Sequence, residues 1–76
     1  MPSIELKLYA TLAAFLPRHP DRYPINEGTR VEKLVAGLGI DPAAVKLIFV
    51  NGVKKGLDHK LTDGDRVGLF PPVGGG

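Results

Sequence analysis

The residues best placed to do chemistry are the last ones, Phe70-Pro71-Pro72-Val73-Gly74-Gly75-Gly76. Their side chains hold no nucleophile, acid, base or metal ligand, so the reactive group they offer is the carboxylate of Gly76. A carboxylate is a poor electrophile, because its charge repels nucleophiles and it has no good leaving group. Conversion to an acyl-adenylate supplies that leaving group, and a persulfide sulfur can then displace AMP. The product is a thiocarboxylate, a soft nucleophile able to pass sulfur on. The lack of side chains at Gly74 and Gly75 suits a segment that threads a narrow channel in a partner enzyme. The competing reading of the same glycines is an untethered chain end. Pro71-Pro72 favours an extended backbone and would hold Val73 and the glycines away from the body of the domain.

Other chemistry finds little support. The chain has no Cys, which removes a disulfide framework, a thiolate zinc site and a catalytic thiol; any sulfur it handles comes from outside. His19 and His59 are the only histidines, and they are far apart in sequence, so a metal or catalytic role is not expected. Asp63-Gly64-Asp65 looks like a fragment of a calcium loop, but the remaining ligands of that pattern are missing and a turn is the better reading. The net charge is +2 with no run of Lys and Arg and no aromatic residues among them, which argues against nucleic-acid binding. The apolar stretch Leu8–Leu16 is too short to span a membrane and lacks the basic leader and cleavage site of a signal peptide. A soluble, cytoplasmic protein is expected. With 76 residues the chain is one domain, too small to enclose a deep active site around its core, so no self-contained enzyme is expected.

The elements that must position the tail are legible as patterns. Ile4, Leu6 and Leu8 alternate with Glu5, Lys7 and Tyr9, the period of a half-buried strand. Thr11–Leu16 has the composition of a short helix, stopped by Pro17. The polar, proline-containing stretch Arg18–Pro24 reads as a loop, with a short strand over Tyr23–Asn26. Thr29 followed by Glu32 is a capping-box pattern. Val31, Leu34, Val35 and Leu38 form one apolar helical face, and Gly39 is placed to end that helix. Asp41-Pro42 opens a single further turn. Leu47–Val50 is a continuous apolar run, the pattern of a strand covered on both faces. Asn51-Gly52 is a hairpin turn signal returning through Val53 and Lys54. After a turn at Thr62–Asp65, Arg66–Phe70 alternates again, with Val67 and Leu69 on one face. Pro71-Pro72 ends it. The last strand is expected at the centre of a mixed sheet, with one main helix packed on it.

The stretch Leu61-Thr62-Asp63-Gly64-Asp65-Arg66-Val67-Gly68-Leu69-Phe70-Pro71-Pro72-Val73-Gly74-Gly75-Gly76 resembles the C-terminal signature of the MoaD family, the small sulfur-carrier subunit of molybdopterin synthase. Leu6–Ala10 is similar to the family's first strand and Thr29–Leu38 to its main helix. The resemblance implies an α+β, ubiquitin-like β-grasp domain over residues 1–70 and a tail over residues 71–76. It implies a thiocarboxylate on Gly76, a tail of Pro71, Pro72, Val73, Gly74 and Gly75 that enters a partner, and a partner interface at Phe70 and Tyr9, although both aromatics could equally be core. It further implies an E1-like (MoeB-like) adenylyltransferase that consumes ATP, the large (MoaE-like) subunit of molybdopterin synthase, and a sulfur donor; no cofactor is bound by the carrier itself. Gly74 stands where the family often has Ser or Thr, and Lys54 lies near a position where relatives carry an apolar interface residue. The Arg18–Pro24 loop has no counterpart. Two further functions share the same terminus: a carrier for another pathway such as thiamine-thiazole synthesis (ThiS-like), which the double proline disfavours, and a protein modifier forming an isopeptide bond from Gly76 to lysine.

Overall fold

A computed structural model describes residues 2–72. Strand β1 spans Ser3–Leu8, β2 Tyr23–Pro24, β3 Leu47–Val50, β4 Val53–Lys54 and β5 Arg66–Phe70; helix α1 spans Val31–Gly37. The strands form one sheet in the order β2-β1-β5-β3-β4. β5 pairs parallel with β1 and antiparallel with β3, so the sheet is mixed and its last strand is central.

Period-two alternation sorts the sheet into two faces. Ile4, Leu6 and Leu8 of β1, Ile48 and Val50 of β3, and Val67 and Leu69 of β5 are buried together with Val31, Leu34 and Val35 of α1 in a single core. Leu69, at the middle of the sheet, is fully buried. β3 departs from the expectation of two covered faces. Only Ile48 and Val50 are buried, whereas Leu47 and Phe49 are half-buried on the other face, because α1 covers one side of the sheet and nothing among the described residues covers the second. The hairpin turn forms as its sequence predicts, with Asn51 at φ 54° and Gly52 at φ 80°, the left-handed pair that a two-residue hairpin requires.

The start of α1 overturns the capping-box expectation. Its cap is Arg30, without a side-chain cap bond. The Thr29 hydroxyl donates instead to the Asn26 carbonyl at 2.6 Å. The first helical amides are satisfied from across the fold: Val31 N donates to the His59 carbonyl at 3.0 Å and Glu32 N to the Leu57 carbonyl at 2.9 Å. A loop brought over by tertiary structure does the work that a local side chain was expected to do. Replacing Glu32 with Ala is therefore expected to shift stability by less than ~0.5 kcal/mol in urea unfolding, as for an ordinary surface site. A loss near ~1 kcal/mol would restore the local cap.

The helix end follows its sequence. Gly39 takes φ 82°, Ile40 N donates to the Val35 carbonyl at 3.1 Å and Gly39 N to the Ala36 carbonyl at 3.0 Å, the two bonds of a Schellman motif. The expected helix after β1 is a 3-10 helix over Ala10–Phe15, with Leu12 as its buried residue. Ala10 at φ 53° as its first residue and Pro17 after it leave too short a segment for α-helical hydrogen bonding to propagate. Within the expected Arg18–Pro24 loop, Pro20–Arg22 forms a 3-10 turn. Tyr23–Pro24 then pairs antiparallel with β1 at the sheet edge, where a proline is tolerated. Among the described residues, no helix is long and apolar enough to cross a membrane.

Candidate functional site

The candidate site is the uncovered face of the sheet. Register places Lys7, Gly68 and Phe49 in one row across β1, β5 and β3. Just beyond that row, at the end of β5, the Tyr9 and Phe70 rings stack with centroids 4.2 Å apart and planes 3° apart. Phe49 meets Phe70 edge-on, at 5.6 Å and 83°. Stacked and edge-to-face pairs of this kind add stability beyond the area they cover, so the three rings form one pre-arranged apolar surface. Tyr9 nevertheless remains 41% exposed.

Gly68 underlies the rings. A Cβ built there would lie 3.5 Å from Tyr9 Cε2 and 3.8 Å from Phe70 Cε1, ordinary contact. The resulting depression holds about 410 Å³ and is lined in part by Tyr9, Phe49, Gly68, Phe70, Lys7 and Arg66. Glu5 lies 3.7 Å from both Lys7 Nζ and Arg66 Nε, two exposed ion pairs worth little to stability.

The start of β5 is fixed by a polar knot. Asp65 is 7% exposed. Its Oδ1 accepts from Asn51 Nδ2 at 2.9 Å and from the Thr62 hydroxyl at 3.1 Å, and its Oδ2 accepts from Thr62 N at 2.8 Å. Asn51 Oδ1 in turn accepts from Arg66 N at 3.0 Å. Burial pushes the Asp65 carboxyl up, but the Thr62 amide, the Asn51 and Thr62 side chains and the charge of His59 outweigh it and hold it below its ordinary value. The knot ties the hairpin turn to the start of β5.

The structure thus brings Tyr9 and Phe70 together as a half-exposed pair on the outer face rather than in the core. Pro71 and Pro72 follow Phe70 without regular structure, and the expected tail residues Val73, Gly74, Gly75 and Gly76 lie outside the described residues. The sequence reading missed Phe49, hidden inside an apolar run, and Gly68, whose role depends on a pairing between strands far apart in the chain. Parity was the available signal: with Asn51-Gly52 as a two-residue turn, Phe49 falls directly opposite Lys54, a polar position. Asp63-Gly64-Asp65 is a turn, with Gly64 at φ 85° and Asp63 Oδ1 accepting from Ser3 N at 2.8 Å. Among the described residues, no three His, Cys, Asp or Glu side chains gather as a metal site would require.

Residues 1–74 match the Mut7-C ubiquitin family. The chain belongs to that family. Its fold is accordingly the ubiquitin-like β-grasp, as the resemblance implied. Solved structures agree with the assignment. The chain is similar to a putative molybdopterin converting factor, subunit 1, from Pyrococcus furiosus, with 27% identity, TM-score 0.73, and 96% of this chain and 100% of that one covered. It is also similar to SAMP1 from Haloferax volcanii, with 28% identity, TM-score 0.67, and 97% and 99% covered. A second structure of the H. volcanii small archaeal modifier protein 1 matches at 24% identity and TM-score 0.70, covering 96% and 100%, and adds agreement in fold. No curated protein matches the chain. The chain therefore shares its architecture with a putative molybdopterin converting factor subunit and with a small archaeal modifier protein.

Proposed function

We propose that the chain is a sulfur carrier for molybdopterin synthesis, activated at the carboxylate of Gly76. The observation that carries this reading is the delivery of Phe70-Pro71-Pro72 from the end of the central strand, directly beside a preformed aromatic surface and ahead of the terminal glycines. Likeness to the P. furiosus subunit supports the molybdopterin assignment. In the first step a Gly76 carboxylate oxygen attacks the α-phosphorus of ATP on an E1-like adenylyltransferase, and pyrophosphate leaves. A persulfide sulfur from the donor then attacks the acyl carbon, and AMP leaves. A thiol cleaves the resulting acyl disulfide, taking the outer sulfur into a new disulfide and leaving the thiocarboxylate. The large subunit of molybdopterin synthase would accept this sulfur into the dithiolene of the pterin. The carrier supplies the terminal atom and the docking face; the partners supply the catalysis.

The likeness to SAMP1 favours a second reading on the same atoms, in which a lysine amine takes the place of sulfur and Gly76 ends in an isopeptide bond. Incubation with ATP, an E1-like enzyme and a sulfur donor, followed by intact-mass measurement, tests the carrier reading. One oxygen replaced by sulfur is the expected change. An unaltered mass beside a partner that activates its own carrier would refute it, and a ladder of Gly76-linked conjugates in cell extract would favour the modifier.

A further inference from the structure

Asn51 is a reactive residue that the sulfur chemistry leaves unused. A backbone amide nitrogen can attack the side-chain carbonyl carbon of the asparagine before it, and glycine, with no side chain, obstructs that attack least. Asn51 and Gly52 are both exposed, so water reaches the turn. Asn26, the only other asparagine, is followed by Glu27, and the chain has no glutamine. Two hydrogen bonds hold the Asn51 side chain against the start of β5: Nδ2 donates to Asp65 Oδ1 at 2.9 Å, and Oδ1 accepts from Arg66 N at 3.0 Å. Asn51 N also donates to the Arg66 carbonyl at 2.8 Å, with Asn51 in the left-handed region at φ 54°. Attack by Gly52 N on Asn51 Cγ requires the side chain to give up its hold on β5.

We propose that Asn51 is a site of spontaneous deamidation that its contact with Asp65 holds in check, and that conversion to a carboxylate opens the joint between the hairpin and β5. The inference is independent of the sulfur-carrier reading. In the reaction the Gly52 amide nitrogen gives up its proton and bonds to Asn51 Cγ. The Cγ–Nδ2 bond breaks, and Nδ2 leaves as ammonia. Water then opens the succinimide at either carbonyl, leaving an aspartate or an isoaspartate. The aspartate sets a carboxylate oxygen where Nδ2 stood, 2.9 Å from Asp65 Oδ1. A donor is lost and two like charges meet, both unfavourable at a buried carboxylate. The isoaspartate lengthens the backbone by one carbon inside a two-residue turn. Neither product can re-form the original contact, so the reaction runs one way.

The test follows intact mass and isoaspartate content of the full chain at mildly alkaline pH, with peptide mapping to locate the change. Asp65→Ala is expected to deamidate about ten-fold faster than the parent, the effect of losing one hydrogen bond to a charged acceptor. Val35→Ala, a core truncation in α1, should stay near the parent rate while it remains folded, because the reaction needs only local opening of the turn. Equal acceleration in the two variants would mean that global unfolding governs the reaction. No acceleration in Asp65→Ala would mean that the contact protects nothing, and a change at Asn26 alone would put the reactive site elsewhere; each of these overturns the proposal. Asn51→Asp tests the second half without relying on Asp65→Ala. Its thermal midpoint should fall by about 4–8 °C. Combining it with Asp65→Asn restores an amide facing a carboxylate and should recover most of that loss. A midpoint for Asn51→Asp equal to the parent's would overturn the proposal as well.

Discussion

Removing Gly76 is expected to abolish sulfur loading, lowering it at least ~100-fold, while the thermal midpoint stays within about 1 °C. The first half follows from reach. Deleting one residue withdraws the terminal carboxylate by about 3.5 Å along an extended chain. Attack on the α-phosphorus requires reacting atoms at near-contact distance, and a misplacement of about 1 Å already costs on the order of 10²-fold. The new terminus is still a glycine, so the variant changes position and not chemistry. The second half follows from the core. Every buried apolar residue of the described chain lies between Ile4 and Leu69. Intact mass after loading gives the first quantity and differential scanning calorimetry the second. A variant loaded at the parent rate would place the reactive carbon elsewhere. A midpoint lowered by several degrees would make the tail part of the folded core.

The two halves of that expectation also mark how far the sequence could be read. Elements whose cause is local were legible. Ile4, Leu6 and Leu8 alternate because one face of β1 is buried; Asn51-Gly52 turns because both residues accept a left-handed backbone; Gly39 ends α1 for the same reason. Features caused by distant chain were misread or missed. Thr29 and Glu32 have the spacing of a cap, yet the Glu32 amide goes to the Leu57 carbonyl, a residue that no local window connects to it, and the Thr29 amide to the Asn26 carbonyl. Leu47–Val50 shows no alternation in its letters, since Leu and Phe on a face that no described residue covers look like core from the sequence alone. The Tyr9–Phe70 stack joins the ends of β1 and β5 through a parallel pairing, and only the topology brings them together. The tail's chemistry, by contrast, is an expectation drawn from residue types and from the resemblance, and Val73, Gly74, Gly75 and Gly76 lie outside the described residues.

Asp65 carries the largest expected effect on stability. Replacing it with Ala leaves Asn51 Nδ2, the Thr62 amide and the Thr62 hydroxyl without their acceptor in a part-buried setting. Each bond to a charged acceptor contributes about 1.5–3 kcal/mol at most, and water can reach some of the freed donors, so a net loss of about 2–3 kcal/mol is expected. The pH dependence has a definite sign. The carboxyl is held below its ordinary value in the folded chain, so its contribution is fully present above the unfolded carboxylate range, near about 3.9, and is lost as pH falls through the lower folded value. Urea unfolding of the parent and of Asp65→Ala should therefore differ most at neutral pH and converge as the pH is taken below about 4. A constant difference across that range would mean that the knot acts by shape and not by charge, and a neutral-pH loss below ~0.5 kcal/mol would mean that it does not hold β5 at all. The second readout is functional. Asn51 and Arg66 are joined through this knot, and Gly68 and Phe70 follow Arg66 along the same strand. Loosening it should raise the KM for the activating enzyme through the aromatic face, leaving the Gly76 carboxylate chemically unaltered.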